Sequence, residues 1–309
     1  MLHVVSVSLG SATRDTDQVV ELLGREVHIE RRGTGGDLRA AAAIMAELDG
    51  RVDAIGLGGI DLYVQVRDRR YTFKDALRLK RMAPNTPVVC GSGLKNSLER
   101  MAVRALDPTL KWQGRKVLMV SAVDRFGMAE ELSLRGADLL FGDMAFALGL
   151  PVPVRSIRTL DALARTLLPV LVRLPFRWLY PVGAAQERAP SGGRFDRYYE
   201  WAEVVAGDWH YIKRHAPARL DGKTILTNTT TAEDVAFLAG RGAARLVTTT
   251  PRFAGRSVGT NLLEAAFVAL EGAEGELPSE RYAALVEQAG IVPTALDLAP
   301  EHARPSAPA

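Results

Sequence analysis

Val117–Ala129, VLMVSAVDRFGMA, is the stretch whose reading decides the fold. A short apolar run reads as a buried strand, SAVDRFG as a turn, and the residues after Gly127 as the start of a helix. A helix that opens behind a strand offers free backbone N–H groups and the positive end of its dipole to a phosphate. The turn carries a single glycine, Gly127, where a GxGxxG loop would have three. Asp143 ends the next strand, 22 residues after Ser121, and an acidic residue at about that offset commonly accepts from a ribose 2′-hydroxyl. Ser121, Asp124, Arg125, Phe126, Gly127 and Asp143 are therefore candidate cofactor-binding residues. An ordinary strand–helix unit with a capping aspartate is the plain alternative.

Outward from this unit, short apolar runs alternate with helical patterns along the chain, which predicts parallel strands joined by crossover helices. Strands are expected at Val4–Leu9, Glu26–Arg31, Asp53–Leu57 and Pro87–Cys90, with a helix capped by Asp37 and a basic hairpin or loop over Arg67–Tyr71. Pro108 marks a hinge within Asp107–Gly114. Later strands are expected at Lys116–Val120, Leu139–Phe141, Glu203–Ala206, Lys223–Leu226 and Arg245–Val247. The apolar helix from Thr260 then returns to the first lobe. The expected fold is α/β: two lobes with parallel sheets and a Rossmann-like second lobe. The expected domains are an N-terminal lobe over 1–110 joined by 255–290, a cofactor-binding lobe over 111–254, and a flexible tail over 296–309.

In open parallel sheets ligands bind beyond the carboxyl ends of strands. The strand ends here carry small and polar residues, so two such rims facing one another form a cleft. Gly91–Asn96, at a strand end before a helix, is the best small-anion candidate of the first lobe. Lys95 adds a cation there, and Asp61 ends a neighbouring strand. Together they are the candidate catalytic pair, with two unconnected surface charges as the alternative. Thr227, Asn228 and Thr229 are assigned to the cofactor. Ser92, Asn96, Thr249, Thr250, Arg252 and Asn261 are assigned to the substrate. Thr231 is expected to cap the helix from Ala232, with Asp234 slightly out of place for a capping box.

Composition narrows the function classes. The formal charge of +3 over 309 residues, with basic residues scattered, argues against nucleic acid. One cysteine, Cys90, excludes an internal disulfide, and five unclustered histidines give no metal site. No run of 18 uninterrupted apolar residues is present; Leu167–Leu179 is broken by Pro169, Arg173, Pro175 and Arg177. A cytoplasmic protein with a small-molecule substrate is expected, with no nucleic-acid or membrane partner and a homodimer left open.

Seven strings carry a resemblance. They are VVSVSLGS (Val4–Ser11), AIGLGGIDLY (Ala54–Tyr63), GSGLKNSLERM (Gly91–Met101), VSAVDRFGMAE (Val120–Glu130), RLPFRWLYP (Arg173–Pro181), TNTTTAEDV (Thr227–Val235) and TTTPRFAGRSVGTN (Thr248–Asn261). They resemble a bacterial family labelled quinate 5-dehydrogenase. The resemblance implies an oxidoreductase using NAD or NADP on a small hydroxylated carboxylic acid such as quinate or shikimate. The NVTxPxK and NTDxxG motifs of shikimate and quinate dehydrogenases are missing, so Lys95 and Asp61 rest on position. Two other classes fit the same cleft: a non-catalytic nucleotide- or metabolite-binding protein, and a non-redox transferase with a nucleotide ligand.

Overall fold

The computed structural model describes residues 1–179, 193–250, 252–253 and 256–298. The first part of the chain forms β1 (Leu2–Ser8), β2 (Thr16–Leu22), β3 (Arg25–Gly33), α1 (Leu38–Leu48), β4 (Ala54–Gly58), β5 (Tyr63–Val66), β6 (Arg69–Thr72), α2 (Lys74–Lys80), β7 (Val88–Val89) and α3 (Ser92–Leu110). Then come β8 (Lys116–Met119), α4 (Phe126–Leu134), β9 (Asp138–Phe141), α5 (Asp143–Phe146), α6 (Ile157–Leu171), α7 (Phe176–Leu179) and α8 (Asp196–Trp201). β10 (Val204–Ala206), α9 (Trp209–His215), β11 (Thr224–Thr227), α10 (Ala232–Gly240) and β12 (Arg245–Thr248) follow. The last elements are β13 (Arg252–Phe253), β14 (Arg256–Ser257), α11 (Thr260–Glu271), α12 (Ser279–Gln288) and β15 (Thr294–Asp297).

The protein is a two-lobed α/β structure with mostly parallel sheets. The first sheet runs β2-β3-β1-β4-β7, parallel except for β2 on its edge. The second runs β15-β12-β11-β10-β8-β9, parallel except for β15 on its edge. Counted in chain order, the parallel strands of the second lobe lie 2-1-3-4-5, one of the two common doubly wound orders. The parallel strands of the first lobe begin the same way. Strand order therefore reverses between β1 and β4 in one lobe and between β8 and β10 in the other.

Alternation along β1 sets up both faces of the first sheet. Val5 and Val7 pack with Met45 of α1, while Val4 packs with Leu262, Ala265 and Ala266 of α11. Asp37 caps α1 as expected, accepting from the N–H groups of Arg39 (2.8 Å) and Ala40 (3.1 Å). α11 returns to the first lobe and lies on β1 and β4. It approaches so closely that a Cβ on Gly56 would come 2.6 Å from the Asn261 carbonyl oxygen.

Several sequence expectations are corrected. α3 runs through Pro108 to Leu110, and Trp112 behind it is fully buried with its ring N–H donating to Val103 O at 2.8 Å, so the Asp107–Gly114 connection between the lobes begins as helix. Pro108 removes one helical hydrogen bond, the one its N–H would have donated to Arg104 O, and the helix continues for only two residues beyond it. The expected tail meets β15, whose Ala295 and Leu296 pair with Val247 and Leu246; residues 299–309 lie outside the described residues. The Arg67–Tyr71 hairpin is present as β5 and β6. Among the described residues no helix is long and apolar enough to cross a membrane.

Candidate functional site

The strand–turn–helix at Val117–Ala129 forms, as β8 and α4, but its turn offers no open phosphate cradle. The Asp143 carboxylate accepts from the N–H of Ala122 (3.1 Å) through Oδ2 and from the N–H of Val123 (2.9 Å) through Oδ1. The chain thus places its own anion where a cofactor phosphate would sit, and the carboxylate expected on a ribose is engaged there. Burial pushes the Asp143 carboxyl up to about 6, against the pull of the two amides. Arg125 stands at the N-cap of α4 and turns inward to Glu99 of α3 and to Asp208 (3.2 Å) after β10. Phe126 is core. Gly127 serves helix packing: a Cβ there would fall 2.5 Å from Asn96 Oδ1 and 2.8 Å from Asn96 O. Ser121 is buried and its hydroxyl accepts from the Asp208 N–H at 3.3 Å.

The second expected anion site is filled in the same way. Glu264 of α11 accepts from the N–H of Gly91 and from that of Leu94 (3.1 Å), covering the N-terminus of α3. Burial pushes the Glu264 carboxyl up to about 7. Gly91, at φ +92°, and Gly93 allow this approach; a Cβ on Gly93 would come 2.6 Å from Glu264 Oε1. Ser92 and Asn96 lie behind Lys95 instead of in the cleft, with the Ser92 hydroxyl donating to Tyr63 O at 3.0 Å. Cys90 is buried, and burial raises its thiol to about 12, so it stays protonated.

The cleft itself lies between the two points of strand reversal and has a volume of about 260 Å³. That is close to the lower end of the ~300–1,000 Å³ usual for small-ligand pockets. Ser6 and Ser8 reach it from β1, Thr16 and Gln18 from β2, Arg31 from β3 and Asp61 from the turn after β4. The second lobe contributes Asp124, Arg125, Asp208, His210 and Asn228–Thr231. Thr260 and Asn261, at the start of α11, complete the wall.

The expected Lys95–Asp61 approach is present, within a triad. Lys95 Nζ is 2.7 Å from Asp124 Oδ1 and 3.5 Å from Asp61 Oδ1. Burial alone would lower the lysine, but Asp124 and Asp61 outweigh it and the net shift is upward. Burial raises Asp61 to about 7, with Lys95 opposing and Asp124 adding to the shift, while its side chain keeps 23% of its surface open. Asp124 moves down, because Lys95 and Arg125 overcome its burial. Among the described residues every cleft cation faces a carboxylate: Arg31 meets Asp15 at 2.6 Å, Lys95 meets Asp124, Arg125 meets Glu99 and Asp208, and Arg14 lies 3.7 Å from Asp234. Arg14 also donates to His210 Nε2 at 3.2 Å, and burial lowers that imidazole to about 4, leaving it neutral.

Of the two threonine runs, only the first reaches the cleft, through Asn228, Thr229, Thr230 and Thr231. Thr227 is fully buried and donates to Gly207 O at 2.8 Å. Thr249 and Thr250 are buried behind it, Thr250 donating to Asn228 O at 3.2 Å and so holding the Asn228 turn. Thr231 and Asp234 form a complete capping box, so Asp234 is in place. The Arg252 side chain lies outside the described residues. Asn261 lines the cleft, donating to Ser6 Oγ at 2.7 Å and Gly56 O at 3.2 Å. Ser6, Ser8, Arg14, Arg31, Asp208 and His210 were not assigned to the site from the sequence, although Asp208 follows the expected strand Glu203–Ala206. Ser6 and Ser8, two polar residues on one face of a central strand, were a readable signal. Arg14, Arg31 and His210 have none, because their partners are distant in sequence.

The chain belongs to the family described as Domain of unknown function (DUF8754), whose model matches residues 93–298; that of DUF8753, also a domain of unknown function, matches 3–90. The two meet at the turn into α3. No curated protein matches the chain in sequence. Among solved structures it is similar to a sugar ABC transport substrate-binding protein from Bordetella parapertussis (14% identity, 96% of this chain and 89% of that one, TM-score 0.39). A glucose-galactose binding protein from Geobacillus stearothermophilus shares 12% identity over 96% and 97%, TM-score 0.37. An ABC transporter solute-binding protein from Agrobacterium vitis bound with α-D-tagatopyranose shares 11% over 96% and 95%, TM-score 0.39. Identities and TM-scores this low give the chain neither a ligand nor a partner.

These findings correct the dehydrogenase resemblance. The family models that match are those of domains of unknown function and not of a quinate dehydrogenase. The physical reason is that the two helix N-termini expected to take a phosphate are closed by Asp143 and Glu264. The assignment as an NAD(P)-linked oxidoreductase is withdrawn.

Proposed function

We propose that the protein binds a small, neutral, polyhydroxylated metabolite in the cleft between its lobes, without chemistry. The observation that carries this is the pairing of charge in the cleft. Arg14, Arg31, Lys95 and Arg125 each face a carboxylate of the chain, so among the described residues no cleft cation is left without an acidic partner. Beside Asp61, Asp124, Asp208 and His210, the remaining polar wall is hydroxyl and amide, with Ser6, Ser8, Thr16, Gln18, Asn228, Thr229, Thr260 and Asn261. Such groups both donate and accept, which suits a ligand made of hydroxyls. Ligand pockets fix orientation through a few convergent polar groups of this kind.

The test is a thermal-shift titration of the whole chain with ribose, galactose and inositol, against citrate, phosphate and NAD. A ligand that binds only the folded state raises the melting temperature in a saturable way. A rise with at least one neutral polyol, diminished in Asn228→Ala, is expected. A rise with citrate or NAD alone would refute the proposal.

A further inference from the structure

A second cavity, about 140 Å³, lies against the cleft. Leu160, Ala164 and Leu168, one helical turn apart on α6, form one wall. Phe73 and Phe176 form another, in edge-to-face contact with ring centroids 5.1 Å apart. The lining is almost wholly apolar, in contrast to the cleft. Asp61, Asp124 and Phe176 belong to both spaces, so cavity and cleft meet at the two carboxylates that hold Lys95. Two other polar groups on the cavity border are engaged by the chain: Asp143 by the amides of Ala122 and Val123, Ser121 by that of Asp208.

The geometry points to a subsite for one compact apolar group, an aromatic ring or a branched alkyl group, carried by the hydroxylated ligand of the cleft. This rests on the cleft reading above. A dry cavity of about 150 Å³ lined by Leu, Ile and Phe takes up benzene, and the present space is close to that size. Left unfilled, such a space deprives its lining atoms of dispersion contacts. The ligand class is thus a polyol bearing an aryl or branched-alkyl substituent, its hydroxyls beside Asp61 and Asp124 and its hydrocarbon against α6.

The experiment titrates the whole chain with propylbenzene and with 3-phenylpropane-1,2-diol, followed by thermal shift and by methyl NMR of the cavity leucines. Both probes are expected to bind saturably. The diol should bind about tenfold tighter, the worth of one or two hydrogen bonds at the junction. Ala147→Trp, at the exposed rim of the cavity, should abolish both responses; Ala164→Leu, which fills the interior, is the second variant. Binding of neither probe, or a diol no tighter than propylbenzene, would overturn the subsite. Loss of the polyol response alone, with the aromatic probes still binding, would instead overturn the cleft reading.

Discussion

Asp143 Oδ1 accepts a hydrogen bond from the backbone N–H of Val123 at 2.9 Å, and its second oxygen does the same for Ala122 at 3.1 Å. An internal carboxylate thereby closes the turn that a nucleotide phosphate would need. Asp143→Ala should destabilise the fold by about 1–3 kcal/mol, because two amides lose their acceptor. It should also create an anion response: phosphate should raise the melting temperature of the variant more than that of the parent. Equal phosphate responses would show that the freed amides are not accessible.

Glu99 and Arg125 form an ion pair with both side chains 2% exposed, and it joins α3 of the first lobe to α4 of the second. Removing one partner of a buried pair strands the other charge at a cost of roughly 3–5 kcal/mol. Glu99→Ala should therefore lower the urea midpoint strongly with little change in slope. A loss below about 1 kcal/mol would mean that water or Asp208 compensates the guanidinium.

Glu264 gives a pH signature. Its folded carboxyl, raised by burial to about 7 from a usual 4.5, holds its proton longer than the unfolded one does. The folded state binds more protons between those two values, so this group's contribution to stability falls as pH rises through that window and is level above it. The fall is of order 1–3 kcal/mol. Glu264→Gln should flatten the stability profile between pH 4.5 and 7. An unchanged profile would assign the dependence to Asp61, which burial also raises to about 7.

Two glycine substitutions should differ in sign. Gly127→Ala drives a methyl group into Asn96, whose backbone oxygen cannot move aside, and should cost about 1–3 kcal/mol. Gly240, the last residue of α10, has open space where a Cβ would be, and Gly240→Ala should stabilise by about 0.5–1 kcal/mol. Paired denaturation curves decide both. A neutral Gly127→Ala would mean that α3 and α4 can separate without loss.

The elements that escaped sequence reading have identifiable reasons. β2 is an edge strand whose partly buried and exposed residues alternate, and it turns into β3 through Leu23 and Gly24, both at positive φ. The usual signal for such a turn is Asn-Gly or Asp-Gly, so Leu-Gly hides it. β15 is a four-residue edge strand with no fully buried residue. Lys95 and Asp61 were legible as charged residues at strand ends, and they do approach; the closer partner, Asp124, was legible only as part of a cofactor turn.

Local pattern by itself determined the alternating elements, the caps at Asp37 and Thr231 and the polar character of the strand ends. These depend on periodicity and on side chains within a few residues of one another, which a sequence displays directly. Only the tertiary structure decided what those strand ends do. Asp143 reaches back 20 residues to Val123, and Glu264 reaches 173 residues to Gly91. A helix N-terminus attracts any nearby anion, and whether that anion is a ligand or the chain's own carboxylate depends on packing between segments that the sequence keeps far apart.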